Sequence, residues 1–337
     1  MLRACVRDYS ILRGSEAILV GMSDHFISFT IFGIAALAAL VLLLGWISYR
    51  GMIHYRVRDE ARLRREGVES GDFEESVFDL PWIEEELASP TGYALQVHAL
   101  AGAPTVGEPR LAIFHHGVGM GWVSMIRYME LFRAQGWSVV AFDSRGHGGS
   151  GGGRPSYGYY EKADLKAVAD WGLARFPHEG GFVVFGESMG AATVLQYAPL
   201  DPRLDAAIAD CPYSSATAEL DHRLKEAMVP RPFRRLVVIV ADAFCRRLEG
   251  FSLRDADPSR SILETGIAML FVHGLEDRYV PWRMSVVMAE TRRRRLPKAL
   301  TELLLVPGAG HGGSLGADRE RYAEALRGFL AEAQAKG

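Results

Sequence analysis

Two hydropathic regimes divide the chain. Residues 26–49 carry no charge, and 31–44 are almost wholly aliphatic; at about 1.5 Å per residue, a helix of this length spans a hydrocarbon core roughly 30 Å thick. From Arg110 onward, short apolar runs alternate with stretches of helical periodicity, the order expected of a mostly parallel sheet covered by helices on both faces. The runs 111–114, 138–142, 182–185, 206–209, 268–272 and 303–306 predict strands, and 122–135, 160–176, 189–198, 280–292 and 318–333 predict helices. Further strand-like runs at 77–80 and 93–100 are broken by Pro90-Thr91-Gly92. One gap breaks the rhythm: residues 212–265 are too long for a simple crossover and hold two helical stretches, 218–228 and 233–247. They read as a cap inserted over the strand ends, where open α/β sheets bind ligands.

The expected organisation is therefore an N-terminal tail (1–25), a transmembrane helix (26–49), a basic then acidic linker (50–75) and an α/β domain (76–337) with a cap at about 212–265. Residues 26–49 read as an uncleaved single-pass anchor rather than a signal peptide or core helix. The apolar run exceeds a signal-peptide core, no small-x-small cleavage site follows it, and arginines come at once. Trp46 and Tyr49 suit a membrane interface. Arg50, Arg56, Arg58, Arg62, Arg64 and Arg65 follow the span, whereas Arg7 and Arg13 precede it, so the positive-inside rule places the larger part in the cytoplasm at the cell membrane. Residues 50–67 would lie along anionic headgroups or form a solvated linker. Met22 is an alternative start.

Composition narrows the function classes. With 49% apolar and 23% charged residues the chain is globular in type, and a net charge of −3 supplies no basic field for nucleic acid. Cys5, Cys211 and Cys245 lack metal-ligand spacing, and free cysteines agree with a reducing compartment. Nothing in the sequence fixes an oligomeric state.

Candidate chemistry centres on Gly186-Glu187-Ser188-Met189-Gly190, between a predicted strand and a predicted helix. Alone the pattern carries little; in a sharp strand-to-helix turn it makes Ser188 a nucleophile and aims the Met189 N–H at a developing oxyanion. Such a serine needs a base and an acid that orients it. His311 lies in the glycine-rich loop after the strand 303–306, and Asp277 in the turn after 268–272. Asp210 also ends a strand and is the alternative acid. The loop His115-His116-Gly117-Val118-Gly119 supplies the second oxyanion donor, the Val118 N–H, with both histidines packing beneath it. Glu187 reads as holding the turn, Cys211 as a small buried residue, and the Arg292 to Arg295 run as a solvated helix end.

With these residues in view, the chain from about Val77 to its end resembles the α/β-hydrolases of the serine aminopeptidase and acyl-ester hydrolase type, particularly bacterial membrane-anchored forms. The resemblance rests on His116-Gly117, the Asp143 to Ser150 segment, Gly186 to Gly190, Asp277 and His311 in that order, with Ser156-Tyr157-Gly158 and Asp210-Cys211-Pro212-Tyr213 like the anchored subgroup. It implies an α/β-hydrolase fold, serine-dependent hydrolysis of an acyl bond without metal or organic cofactor, and a structural role for Arg145 and His147. A small-molecule carboxylic ester is the first expectation, a lipid-like one being within reach of the anchor. A peptidase of small hydrophobic peptides and a non-catalytic membrane scaffold are the rivals. In the cap, Phe233, Leu236, Val237, Val238, Ile239 and Phe244 would either contact an apolar acyl group or bury the cap against the domain.

Overall fold

Strands buried on both faces have no use for polar side chains, and the central strands carry almost none. In the computed structural model, described over residues 5–103 and 107–336, β1 (Ile83–Ala88) and β2 (Ala94–Leu100) form an antiparallel hairpin. Six further strands follow: β3 (Leu111–His115), β4 (Ser138–Phe142), β5 (Phe182–Glu187), β6 (Ala206–Asp210), β7 (Ala268–Gly274) and β8 (Thr301–Val306). They join in one sheet of order β1-β2-β4-β3-β5-β6-β7-β8, antiparallel up to β4 and parallel beyond it.

Helices precede and separate these strands: α1 (Cys5–Ile53), α2 (Glu60–Glu69), α3 (Ile126–Arg133), α4 (Glu161–Arg175), α5 (Met189–Tyr197), α6 (Ala216–Glu226), α7 (Arg231–Leu248), α8 (Pro258–Ser261), α9 (Arg283–Arg295), α10 (Ser314–Ala317) and α11 (Arg319–Lys336). Because side chains alternate along a strand, Ala112, Phe114, Ala141 and Phe185 point to one face, covered by α3 and α11. Ile113, Val140, Phe142 and Val184 point to the other, covered by α4, α5 and α9. The predicted cap is present as α6, α7 and α8 between β6 and β7.

The N-terminal third departs from expectation. Residues 77–80 form part of a 3₁₀ turn (Glu75–Asp79), with Val77 buried and its carbonyl accepting the Trp82 indole N–H at 2.9 Å. The first strand is instead β1, whose run Glu84-Glu85-Glu86 hides any apolar alternation. At a sheet edge such charges are tolerated and discourage pairing with a second chain. From Cys5 the expected tail and the span form one helix, α1; residues 1–4 of the tail lie outside the described residues. Its part Ser28–Ile53 is long and apolar enough to cross a membrane or to act as a signal sequence. Residues 28–40 are exposed, but from Val41 one side packs on α7, where Gly45 admits Val240 and the Trp46 ring lies 5.1 Å from Phe244. Tyr49, expected at a lipid interface, is buried with Met52 and Ile53 in the cap core.

Nor is 50–75 a linker. Asp59 caps α2 by accepting the Arg62 N–H at 2.7 Å, and Leu63 and Phe73 enter the main core. The Arg292 to Arg295 run is only partly a solvated face. Arg292 is fully buried and donates to the carbonyls of Ile262, Thr265, Ile267 and Leu300 and to Thr301 Oγ1. Burial lowers its pKa to about 10, and these acceptors hold the end of α9 to the loop before β7.

Candidate active site

The site is assembled at the C-terminal ends of β3, β5, β7 and β8. Where β5 turns into α5, the backbone is so tight that a Cβ on Gly186 would lie 2.2 Å from the Gly190 carbonyl, and one on Gly190 1.9 Å from that of His115. Only glycine fits at either place. Ser188 between them takes φ 55°, ψ −113°, a strained conformation that persists only when the surroundings impose it. Its N–H donates to the Asp210 carbonyl at 2.8 Å, which pins the turn to β6.

Ser188 Oγ lies 2.8 Å from His311 Nε2, and His311 Nδ1 lies 2.7 Å from Asp277 Oδ2. Three separate loops thus bring together the serine, histidine and aspartate that the sequence singled out. Asp277 is held in turn: its Oδ1 accepts the N–H groups of Tyr279 and Val280, both at 2.8 Å, and its Oδ2 faces His273 Nε2 at 3.1 Å. Burial opposes its charge, but the hydrogen bonds from His273 and His311 prevail and hold its pKa far below the usual carboxylate range. Burial likewise opposes a charged His311; the hydrogen bond to Asp277 and that carboxylate's charge outweigh it, so the imidazole pKa is raised. This pairing assigns the Nδ1 proton to the Asp277 side and leaves Nε2 able to accept from Ser188.

Asp210, the alternative acid, is engaged elsewhere. Its carboxyl meets Tyr128, Ser314 and Tyr322 and makes no bond to His311. Burial and the nearby Glu187 charge raise its pKa. Glu187 holds the elbow as expected, accepting from Tyr128 at 2.8 Å and from Arg127, whose Nη2 also donates to the Gly312 carbonyl at 2.9 Å. One arginine therefore ties the nucleophile turn to the histidine loop. The sequence reading missed Arg127, Tyr128 and His273, because none lies in a recognisable motif and each acts through a contact distant along the chain.

The loop Gly117 to Gly119 lies against Ser188. Gly119 donates its N–H to His147 Nε2 at 2.9 Å, and Ser144 donates to His116 Nε2 at 2.9 Å. Both rings accept at Nε2, so both are neutral; burial lowers the pKa of each. Asp143 accepts from the backbone of Trp122 and Gly149. The Asp143 to Ser150 segment thus braces this loop. Among the described residues no acceptor faces the Val118 N–H, and Met189, first in α5, has no intrahelical acceptor by position.

Cys211, Asp277 and His311 place potential metal-ligating atoms within 4.8 Å of one another. Burial pushes the Cys211 thiol well above its ordinary pKa, which keeps it a neutral thiol and a poor ligand, and the other two already bond each other.

A cleft of about 540 Å³ opens over Ser188 and His311, lined by Val118, Met120, Leu63, Phe73, Tyr55 and Tyr279 among others. No α7 residue lines it, so the apolar cap residues Phe233 to Phe244 contribute no cleft wall. Val237 is buried in the cap core, Val238 and Phe244 pack against it, and Leu236 and Ile239 are exposed. A depression of about 550 Å³ between α3 and α11, lined by Glu130, Arg133 and Arg319, contains none of the residues above.

This fold and this nucleophile turn define the α/β-hydrolase class. The profile of the serine aminopeptidase S33 family matches residues 108–262. The Bacillus subtilis (strain 168) protein YqkD is 33% identical over 301 residues, covering 88% of this chain and 95% of its own. The chain therefore belongs to the α/β-hydrolase family. Among solved structures it is similar to the Pyrococcus furiosus esterase Pf2001, with a TM-score of 0.60 at 20% identity over 77% of this chain and 96% of that one. It is also similar to the Pyrococcus horikoshii acylaminoacyl peptidase, with a TM-score of 0.56 at 15% identity over 75% of this chain and 42% of that one. At these identities the likeness is one of fold.

Proposed function

We propose that the protein is a membrane-anchored serine hydrolase that cleaves an acyl bond, carboxylic esters first, through Ser188, His311 and Asp277. The unbroken relay from Ser188 Oγ to His311 to Asp277, at 2.8 and 2.7 Å, carries this reading. His311 Nε2 takes the Ser188 proton as Oγ attacks the carbonyl carbon; the N–H groups of Val118 and Met189 bind the resulting oxyanion. His311 then gives that proton to the departing alcohol oxygen, leaving an acyl-enzyme. Water, deprotonated by His311, attacks the acyl carbon and releases the acid and Ser188.

Two observations favour an ester over a peptide with a free amino terminus. The cleft has apolar residues in Leu63, Phe73, Val118 and Met120. Each carboxylate lining it faces an arginine: Glu66 faces Arg58 and Arg62, and Asp72 and Glu187 face Arg127. No unpaired acid is left there to read an ammonium group. For the anchor, support comes from Gly45, Trp46 and Tyr49, whose packing on Val240, on Phe244 and in the cap core would be lost by cleavage after the apolar run. The Met52 carbonyl also accepts from Tyr157 at 2.8 Å. Tyr157 belongs to the Ser156-Tyr157-Gly158 segment, so residues that resemble the anchored subgroup touch the end of α1.

A fluorophosphonate should label the purified chain at Ser188 alone, and Ser188→Ala should abolish both labelling and turnover of a small activated ester. Undiminished turnover by Ser188→Ala excludes this mechanism, and a correctly folded chain that resists labelling supports the non-catalytic scaffold. Comparing matched esters and aminoacyl amides separates esterase from peptidase.

A further inference from the structure

The chain between α1 and the first strand crosses the mouth of the cleft. The Arg58 N–H donates to the Gly119 carbonyl at 3.0 Å, so this segment runs directly over the loop that carries Val118. A Cβ on Gly119 would lie 3.2 Å from the Arg56 carbonyl, and the Leu63 Cδ1 stands 3.2 Å from the Cβ position of Gly121. One turn further along α2, Gly67 is bare because the Phe73 ring lies against it; a Cβ there would be 2.2 Å from Phe73 Cζ. Leu63 and Phe73 therefore line the same cleft as Val118, Met120 and Ser188, whereas the cap that covers this sheet end contributes no α7 side chain to it.

At the other end of the cleft Tyr55 lies 3.1 Å from the Tyr279 hydroxyl and accepts from Arg223 at 2.7 Å. The Tyr279 ring packs 4.9 Å from that of His311, and its backbone N–H bonds Asp277. The segment thus touches the oxyanion loop directly and reaches the histidine–aspartate pair through Tyr279.

We propose that residues 54–73 form a strap that completes the acyl-binding site, with Leu63 and Phe73 as the specificity-determining residues that limit the length of the acyl chain. This inference rests on the serine-hydrolase reading above. Both side chains are apolar, nearly buried and on the wall beyond the oxyanion donors. Truncating these side chains admits longer chains and enlarging them excludes them.

The test uses the full-length chain in detergent and p-nitrophenyl esters from acetate to octanoate. Phe73→Ala should raise the octanoate-to-acetate ratio of kcat/KM by about tenfold or more, and Phe73→Trp should lower it, since a few methylenes in an apolar pocket are discriminated on this scale. Phe73→Leu, a smaller change, provides the same readout if the alanine variant does not fold. Fluorophosphonate labelling is measured on each variant. Absent labelling of the parent chain sinks the hydrolase reading itself. Normal labelling with an octanoate-to-acetate ratio that no Phe73 variant moves overturns the strap alone.

Discussion

At His311 two opposing effects meet, and the sign of the result sets the pH dependence. Burial disfavours the imidazolium, but Asp277 favours it more, and the pKa lies above its ordinary value. Only neutral imidazole can accept the Ser188 proton, so kcat/KM should fall as a single protonation with a midpoint above the ordinary histidine value of about 6.5. Replacing Asp277 by Asn removes the charge that raises it: the acid limb should move down, and the rate should drop by roughly 10⁴-fold as the tautomer is lost. A pH–rate profile in which the limb stays put would refute this assignment of the acid. The same pair stabilises the fold within a window. A raised His311 pKa contributes stability that is full below about 6.5 and fades as pH rises through the folded value. The lowered Asp277 pKa contributes above about 3.9 and fades as pH falls through its folded value. Far from this chemistry, the buried Arg292 satisfies four carbonyls and a hydroxyl at once. Arg292→Met should leave them unpaired and destabilise the chain by about 3 kcal/mol, read as a lower urea midpoint; a loss under about 1 kcal/mol would show that water replaces the guanidinium.

Elements differ in how plainly the sequence announces them. Each parallel strand is an apolar run between turn signals, and Ser188, Asp277 and His311 all follow such runs, so their meeting could be inferred from strand order and the ligand-binding end of open sheets. The chain at 54–73 gives no such signal: α2 is rich in arginine and glutamate, and its few apolar residues acquire meaning only through Gly121 and Phe73, contacts no periodicity reveals. The same holds for α7. Its apolar residues suggest a substrate wall, yet much of that surface is taken by α1, a pairing between segments nearly 200 positions apart. At Gly45 the two helices lie close together, since a Cβ there would lie 2.3 Å from Val240 Cγ1. Gly45→Leu should force them apart and loosen the backbone of α7, whose Arg231, Arg235, Arg246 and Arg247 already lie at the surface, so limited trypsin digestion in detergent should cut within Arg231–Leu248 several-fold faster than in the parent. Equal cleavage rates would mean that the helices separate without cost.

For the whole molecule, one apolar helix and one hydrolase domain share a core. On α1, Phe29, Phe32, Ile34 and Leu37 are exposed, the kind of surface that lipid covers. The next three turns are fixed to α7 and to Tyr157, so the domain must sit directly against whatever surface α1 enters. Under the proposed anchoring, the arginine excess after the span predicts a cytoplasmic domain. This arrangement differs physically from a cleaved signal sequence, whose removal would leave Val240, Ala241 and Phe244 without Gly45, Trp46 and Tyr49 against them. The full-length chain should therefore remain in the membrane pellet after alkaline carbonate extraction. A C-terminal green fluorescent protein fusion should fluoresce, while a C-terminal alkaline phosphatase fusion should be inactive. Recovery of a soluble chain whose amino terminus begins near Arg50, or an active phosphatase fusion, would show that α1 is processed or oppositely oriented.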